Sequence, residues 1–255
     1  MHILLIALLA TLPAPTVEQQ LVSGKARVMA ADYGADLHTL RRLRDDLRHL
    51  GKDPKLGYLA HYWCGYASWR IALNGSSNKM TAAELKTNLA DAIAEFNASI
   101  LAKSDFADSC AAASSVHAWL GGLVRSDQIA MRGHYTESRD LLVRAQKLDP
   151  DNPRVLWVAG GMYLFSPPNM GGDVGRAMAT YRRAIDVSGA LSPDSPLPDW
   201  GKAESVMALA YAHMVASPPD LAAARDEANS ALGLVPQWSY VRDVLIPQIA
   251  AAGAK

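Results

Sequence analysis

The chain has 255 residues, 50% of them hydrophobic, and its 25 lysines and arginines are balanced by 25 aspartates and glutamates. A formal net charge of zero leaves no global field to draw in nucleic acid or anionic lipid, which argues against a nucleic-acid partner. Aromatics are only 7% while alanine, the best helix former, is abundant, so the composition favours closely packed helices.

The chain opens on an apolar run, ILLIALLATL at residues 3–12. It is shorter than the roughly 20 residues a membrane span needs and matches the apolar core of a secretory signal. Residues 1–16 are therefore read as a signal peptide, cut after Thr16, with a buried first helix as the competing reading. Export would place the mature chain in the periplasm or outside the cell, touching the membrane only through that signal. In an oxidising compartment Cys64 and Cys110 read either as a disulfide or as two buried thiols. They fall in the first helices of successive pairs, so they are expected to lie close enough to bond.

Residues 17–54 are expected to form a leading helix over 17–50. Leu37, Leu40, Leu43, Leu47 and Leu50 stand three or four apart, which is one helical face, and interleaved arginines and aspartates make the other a solvated one. Gly51 and Pro54 end it. Residues 55–255 form the main domain. The spacing predicts helices over 56–73 and 81–103, the second opened by the capping box Thr81-x-x-Glu84. Further helices are predicted over 105–124, 135–148, 153–165, 174–188, 200–215 and 220–234, then a terminal capping helix broken near Pro247. An irregular connection is expected from 125 to 133, and Pro-rich residues 192–198 read as a linker. No segment alternates as a strand would.

Within this all-α pattern a repeat recurs. Leu156, Ala159, Gly160 and Tyr163 are followed by Ala177, Tyr181 and Ala184. Ser138, Leu142, Ala145 and Pro150 precede them. Ala92, Phe96 and Ser99 repeat the second-helix spacing after Cys64-Gly65, and Met207, Ala208 and Tyr211 precede Ala224, Ala228, Ala231 and Pro236. The pattern resembles the tetratricopeptide repeat, a helix–turn–helix in which small residues let backbones approach and large ones fill the gaps. The resemblance covers roughly residues 55–240 and implies a right-handed α-solenoid of about four irregular hairpins. The chain resembles divergent bacterial envelope members, and loosely the T-component proteins associated with tripartite periplasmic solute transporters. The likeness to these lies in the signal, the irregular repeats and the Gly171-Gly172-Asp173 insertion, although no lipid-attachment cysteine follows the apolar run.

Reactive motifs are missing from the sequence. His61 and Cys64 could converge on an ion, but zinc takes three or four ligands and no second pair follows. Gly121-Gly122 and Gly171-Gly172 lack the phosphate-loop pattern, and Asp173 reads as a helix N-cap. Neither an enzyme nor a cofactor is indicated. The expected function is a scaffold that binds a protein or peptide on its concave face. Trp63, Tyr66, Trp157 and Tyr163 are the candidate contacts, since aromatics dominate binding hot spots. Asn169 and Asp173 join them from the SPPNMGGD loop of residues 166–173. The alternative is a small-ligand-binding accessory protein of a periplasmic transporter.

Overall fold

The computed structural model describes residues 14–253, so most of the signal peptide, including the apolar run of 3–12, lies outside the described residues. Eleven α-helices follow one another, with no strand among the described residues. They are α1 (Val17–Tyr33), α2 (Leu37–Arg48), α3 (Gly57–Ser77), α4 (Ala82–Ala102), α5 (Ala107–Leu123), α6 (Gln128–Leu148), α7 (Pro153–Phe165), α8 (Val174–Asp186), α9 (Lys202–Val215), α10 (Leu221–Leu234) and α11 (Ile246–Ala252).

Local chemistry starts most of these helices. Thr81 and Glu84 form the expected capping box. Asn152, Asp173 and Asp220 accept from the first free amides of α7, α8 and α10, and Pro153 takes the first-turn position of α7. Thr16 and Gln19 make a second capping box at α1. A cut after Thr16 would remove it, at about 0.5–2 kcal/mol of helix stability.

Three boundaries differ from the sequence reading, the simplest being α3, which runs a full turn beyond residue 73 to Ser77. Residues 17–50 are not one helix. Gly34 ends α1, Ala35 takes a positive φ of 53°, and Asp36 caps α2. The leader is thus a hairpin. The stretch before residue 135 is helical, because Asp127 accepts from the amides of Ile129 and Ala130 and starts α6 at Gln128. Gly133 sits inside that helix with open space around it. At the other end Pro247 has no N–H to give to the preceding turn, and a π-helical turn, Val241–Leu245, comes before it.

Helices pack as antiparallel pairs, α1/α2, α3/α4, α5/α6, α7/α8 and α9/α10, and each pair meets the next to form an α-solenoid. The repeat positions make the seams. A Cβ on Gly160 would stand 2.5 Å from the Tyr181 ring, and one on Gly65 would stand 2.9 Å from Phe96. The small residue of a first helix therefore receives the large residue of its second helix, face against ring. Ala92, Ala177, Ala184, Ala224, Ala228 and Ala231 are all fully buried at these seams.

The array does not stay open. Tyr33 of α1 stacks edge-on against Trp238 with centroids 5.0 Å apart and donates to Glu204 of α9 at 2.5 Å. The first hairpin thus meets the last, and the first-helix faces of α1, α3, α5, α7 and α9 turn towards a shared interior.

Candidate functional site

That interior is aromatic because α3 places Tyr62, Trp63, Tyr66 and Trp69 on it, four large rings in two helical turns. In an open solenoid one face could not bury them. Here Trp157 from α7 closes on Trp69 at 5.9 Å, and Trp200 lies among Tyr66, Trp69 and Trp157 at 5.6, 6.2 and 5.5 Å. Trp63 and Tyr66 are wholly buried. Their expected place on an accessible groove is corrected: the cycle of helices covers them, and they build the core. Trp157 is half-buried, its indole N–H donating to the Glu204 carbonyl at 3.1 Å. Tyr163 is half-buried beneath the Arg176 guanidinium, 3.9 Å from its ring centroid.

The chain itself occupies the inner wall. Residues 187–201, between α8 and α9, run back across the first-helix faces. Lys25 of α1 donates to the carbonyls of Ser192 (2.8 Å) and Leu197 (3.4 Å) and to the Asp199 carboxylate (2.9 Å). The Trp63 indole donates to the Pro196 carbonyl at 2.8 Å, and the Trp200 indole to the Tyr62 hydroxyl at 2.8 Å. Sequence reasoning read 192–198 as a plain linker. The signal available was its composition: three prolines and then a tryptophan are poor solvent-exposed padding.

Beside it lies a buried polar group. Asp32 accepts from Arg70 Nε at 2.7 Å, from the Tyr66 hydroxyl at 3.1 Å and from Asn74 at 2.9 Å. Glu204 caps its own helix by accepting from the Gly201 amide at 2.7 Å. Burial pushes its carboxyl above the usual range, opposed by the hydrogen bonds from Tyr33 and Gly201.

The SPPNMGGD loop is ordered by its own backbone. The Met170 and Gly172 amides donate to the Pro167 carbonyl, and the Asp173 amide donates to the Tyr163 carbonyl at 2.9 Å. Gly171 takes φ +92°, a conformation that favours glycine, and a Cβ on Gly172 would meet the Ser166 carbonyl at 1.9 Å. Asn169 and Asp173 are exposed, and the Asp173 side chain caps α8 through the Arg176 amide. Phe165 and Met170, which sequence reasoning missed, are 70% and 67% exposed on this rim. Phe165 faces Tyr211 of α9, with centroids 5.7 Å apart.

The cysteines are not joined. Both are free and buried. Cys64 turns to α2, its thiol donating to the Arg44 carbonyl at 3.3 Å, while Cys110 packs with Ala111, Ala145 and Val155. They face different seams, so the expected bond is corrected. Burial raises the pKa of both thiols, which keeps them protonated and unreactive. His61 lies against Glu95, Nδ1 to carboxylate 2.7 Å. No group of three or more His, Cys, Asp or Glu side chains is placed to hold a metal among the described residues. No described helix is long and apolar enough to cross a membrane.

No protein-family model and no curated protein matches the chain. Solved structures do. A thermophilic TPR protein of Thermus thermophilus aligns over 94% of this chain and 100% of its own, with a TM-score of 0.58 at 17% identity. BtubC (BKLC) from P. vanneervenii aligns over 94% of each chain at 14% identity, but its TM-score of 0.28 carries no argument. The finer likeness to T-component proteins has no support in these comparisons. At such identities the first match speaks to fold alone, and the fold it shares with this chain is a tetratricopeptide-like all-helical repeat.

Proposed function

We propose that the chain is an exported, non-catalytic helical-repeat scaffold whose protein or peptide partner docks on the rim at the α7–α8 loop. The observation that carries this reading is the pair Phe165, at the end of α7, and Met170, on a loop held by its own amides, 70% and 67% exposed. Large apolar side chains fixed in advance cost little entropy on binding, which is what a hot spot requires. Asn169 and Asp173 supply a polar edge next to them. Helical repeats commonly serve as protein-binding surfaces, and export rests on the apolar run of residues 3–12. The alternative, a small-ligand carrier for a transporter, has less behind it. A cavity of about 340 Å³ is lined half by charged residues, Asp53, Lys55 and Lys103, with Pro54, Tyr58 and Ala102, whereas small-molecule sites are mostly apolar.

The test compares wild type with the double variant Phe165→Ser, Met170→Ser as baits in an envelope extract. Both side chains are exposed, and the variant gives up only the Phe165–Tyr211 ring contact, worth about 0.5–1.5 kcal/mol, so it should melt within a few degrees of wild type. A specific set of captured proteins should disappear with the variant; identical capture by both baits would count against the rim.

A further inference from the structure

The segment that crosses the inner wall is bound in the manner of a ligand. From Pro196 to Trp200 burial alternates: Pro196, Pro198 and Trp200 are buried, while Leu197 is exposed and Asp199 partly so. The segment presents these side chains from a compact loop: the Ser195 amide donates to the Ser192 carbonyl at 3.0 Å, the chain bends at Pro196 and Leu197, and the Ser192 amide donates to the Asp199 carboxylate at 2.9 Å. The wall answers with side chains from three separate helices. Lys25 of α1 grips two carbonyls and the Asp199 carboxylate, and Trp63 of α3 donates to the Pro196 carbonyl. Tyr62 of α3 accepts from the Trp200 indole, and Arg154 of α7 donates to the Trp200 carbonyl at 3.3 Å.

Among the described residues, the Lys25 ammonium and the Trp63 indole have no hydrogen-bond partner outside this segment. Lys25 is only 3% exposed and Trp63 not at all. A buried donor left unpaired is costly, so these two groups call for backbone carbonyls at that spacing and an acid, and the buried Tyr62 hydroxyl calls for an indole one residue after the acid. A connection of more than about a dozen residues between two helices is also longer than joining them requires.

We propose that the inner wall is a receptor for a short turned peptide ending in the pattern Pro-x-Pro-Asp-Trp, and that residues 192–200 are its tethered occupant. Being tethered, that occupant competes at an effective concentration of order millimolar. Only a segment with the same carbonyl spacing, acid and indole can replace it without stranding Lys25, Trp63 and Tyr62.

The test replaces residues 192–200 by a glycine–serine chain of equal length and adds the synthetic nonapeptide SPDSPLPDW in trans. The opened protein should bind the peptide saturably, with a rise in melting temperature. Binding to wild type should be at least about 100-fold weaker, because the tethered copy holds the site. A peptide with alanine for the tryptophan, or asparagine for the aspartate, should lose tenfold or more. So should the natural peptide on an opened protein carrying Lys25→Ala. If the opened protein loses helical circular dichroism, the peptide should restore it. Three results overturn the proposal: no binding by a folded opened protein, no rescue of an unfolded one, or equal binding by wild type or of a scrambled peptide. The Phe165→Ser, Met170→Ser change should leave peptide binding intact, so failure here and failure at the rim are separate outcomes.

Discussion

Gly160 and Gly161 are neighbours on α7 with opposite surroundings. A Cβ at Gly160 would lie 2.5 Å from the buried Tyr181 ring, whereas one at Gly161 would lie 3.8 Å from its hydroxyl. Gly160→Ala should therefore cost about 1–3 kcal/mol through overpacking. Gly161→Ala should be neutral or stabilising by up to about 1 kcal/mol, since it removes backbone freedom from the unfolded chain. Urea denaturation of the two variants checks both signs. His117 offers a second test. Its Nδ1 lies 3.0 Å from that of His134, and burial, with the neighbouring imidazole, lowers its pKa to about 4. Because the folded value lies below the unfolded one, the protein should lose stability as pH falls from about 6.5 towards 4. His117→Gln should remove that part of the slope, read from denaturation midpoints across the range. The repeat residues Gly160, Ala177 and Tyr181 were legible in sequence because their size pattern is a packing code. His117 was not, because its partner stands on another helix.

At the scale of an element, the leader is the instructive case. Leucine spacing correctly placed Leu40, Leu43 and Leu47 on a buried face, but the turn at Gly34-Ala35 was read through as helix. Ala35 is an L-residue in the left-handed region, φ 53°, where glycine is at less cost. Ala35→Gly should thus stabilise the protein by about 0.5–1 kcal/mol. Were residues 17–50 one continuous helix, the same change would destabilise by about 1 kcal/mol, so the sign of the shift in denaturation midpoint decides between them. Trp63 belongs here as well. It anchors α3 to the crossing segment, and its truncation to alanine should cost about 3–5 kcal/mol, a loss of stability measurable by circular dichroism whatever the protein binds.

Across the whole molecule, closure is the property that matters. Tyr33 and Glu204 tie the first hairpin to the last in a buried contact, and the raised pKa of Glu204 makes that tie sensitive to pH. The folded state holds the proton more tightly than the unfolded one. Its stabilising effect is therefore present below the ordinary carboxylate range and is lost as pH rises through the folded value. Glu204→Gln can still accept from the Gly201 amide, and it should flatten the decline of melting temperature with rising pH, opposite in sense to His117→Gln. Retention of the wild-type slope in Glu204→Gln would show that the closure is not linked to this proton.

What the sequence determined by itself was local and periodic. Helix phases, the caps at Thr81 and Asp173, and the pairing of small with large residues all follow from residue types and their spacing within a helix or a hairpin. The tertiary structure alone decided what those faces meet. Five large aromatics within twelve residues of α3 exceed what one helix face can bury. They could not tell that the array closes and that Trp200, more than a hundred residues away, fills the middle. Exposure, and with it the site, depends on long-range closure: Trp63 and Tyr66 became core, Cys64 and Cys110 faced different seams, and Phe165 and Met170 were left on the rim. A hydrophobic side chain reads the same in sequence whether it is buried or presented, because the difference lies in what packs against it.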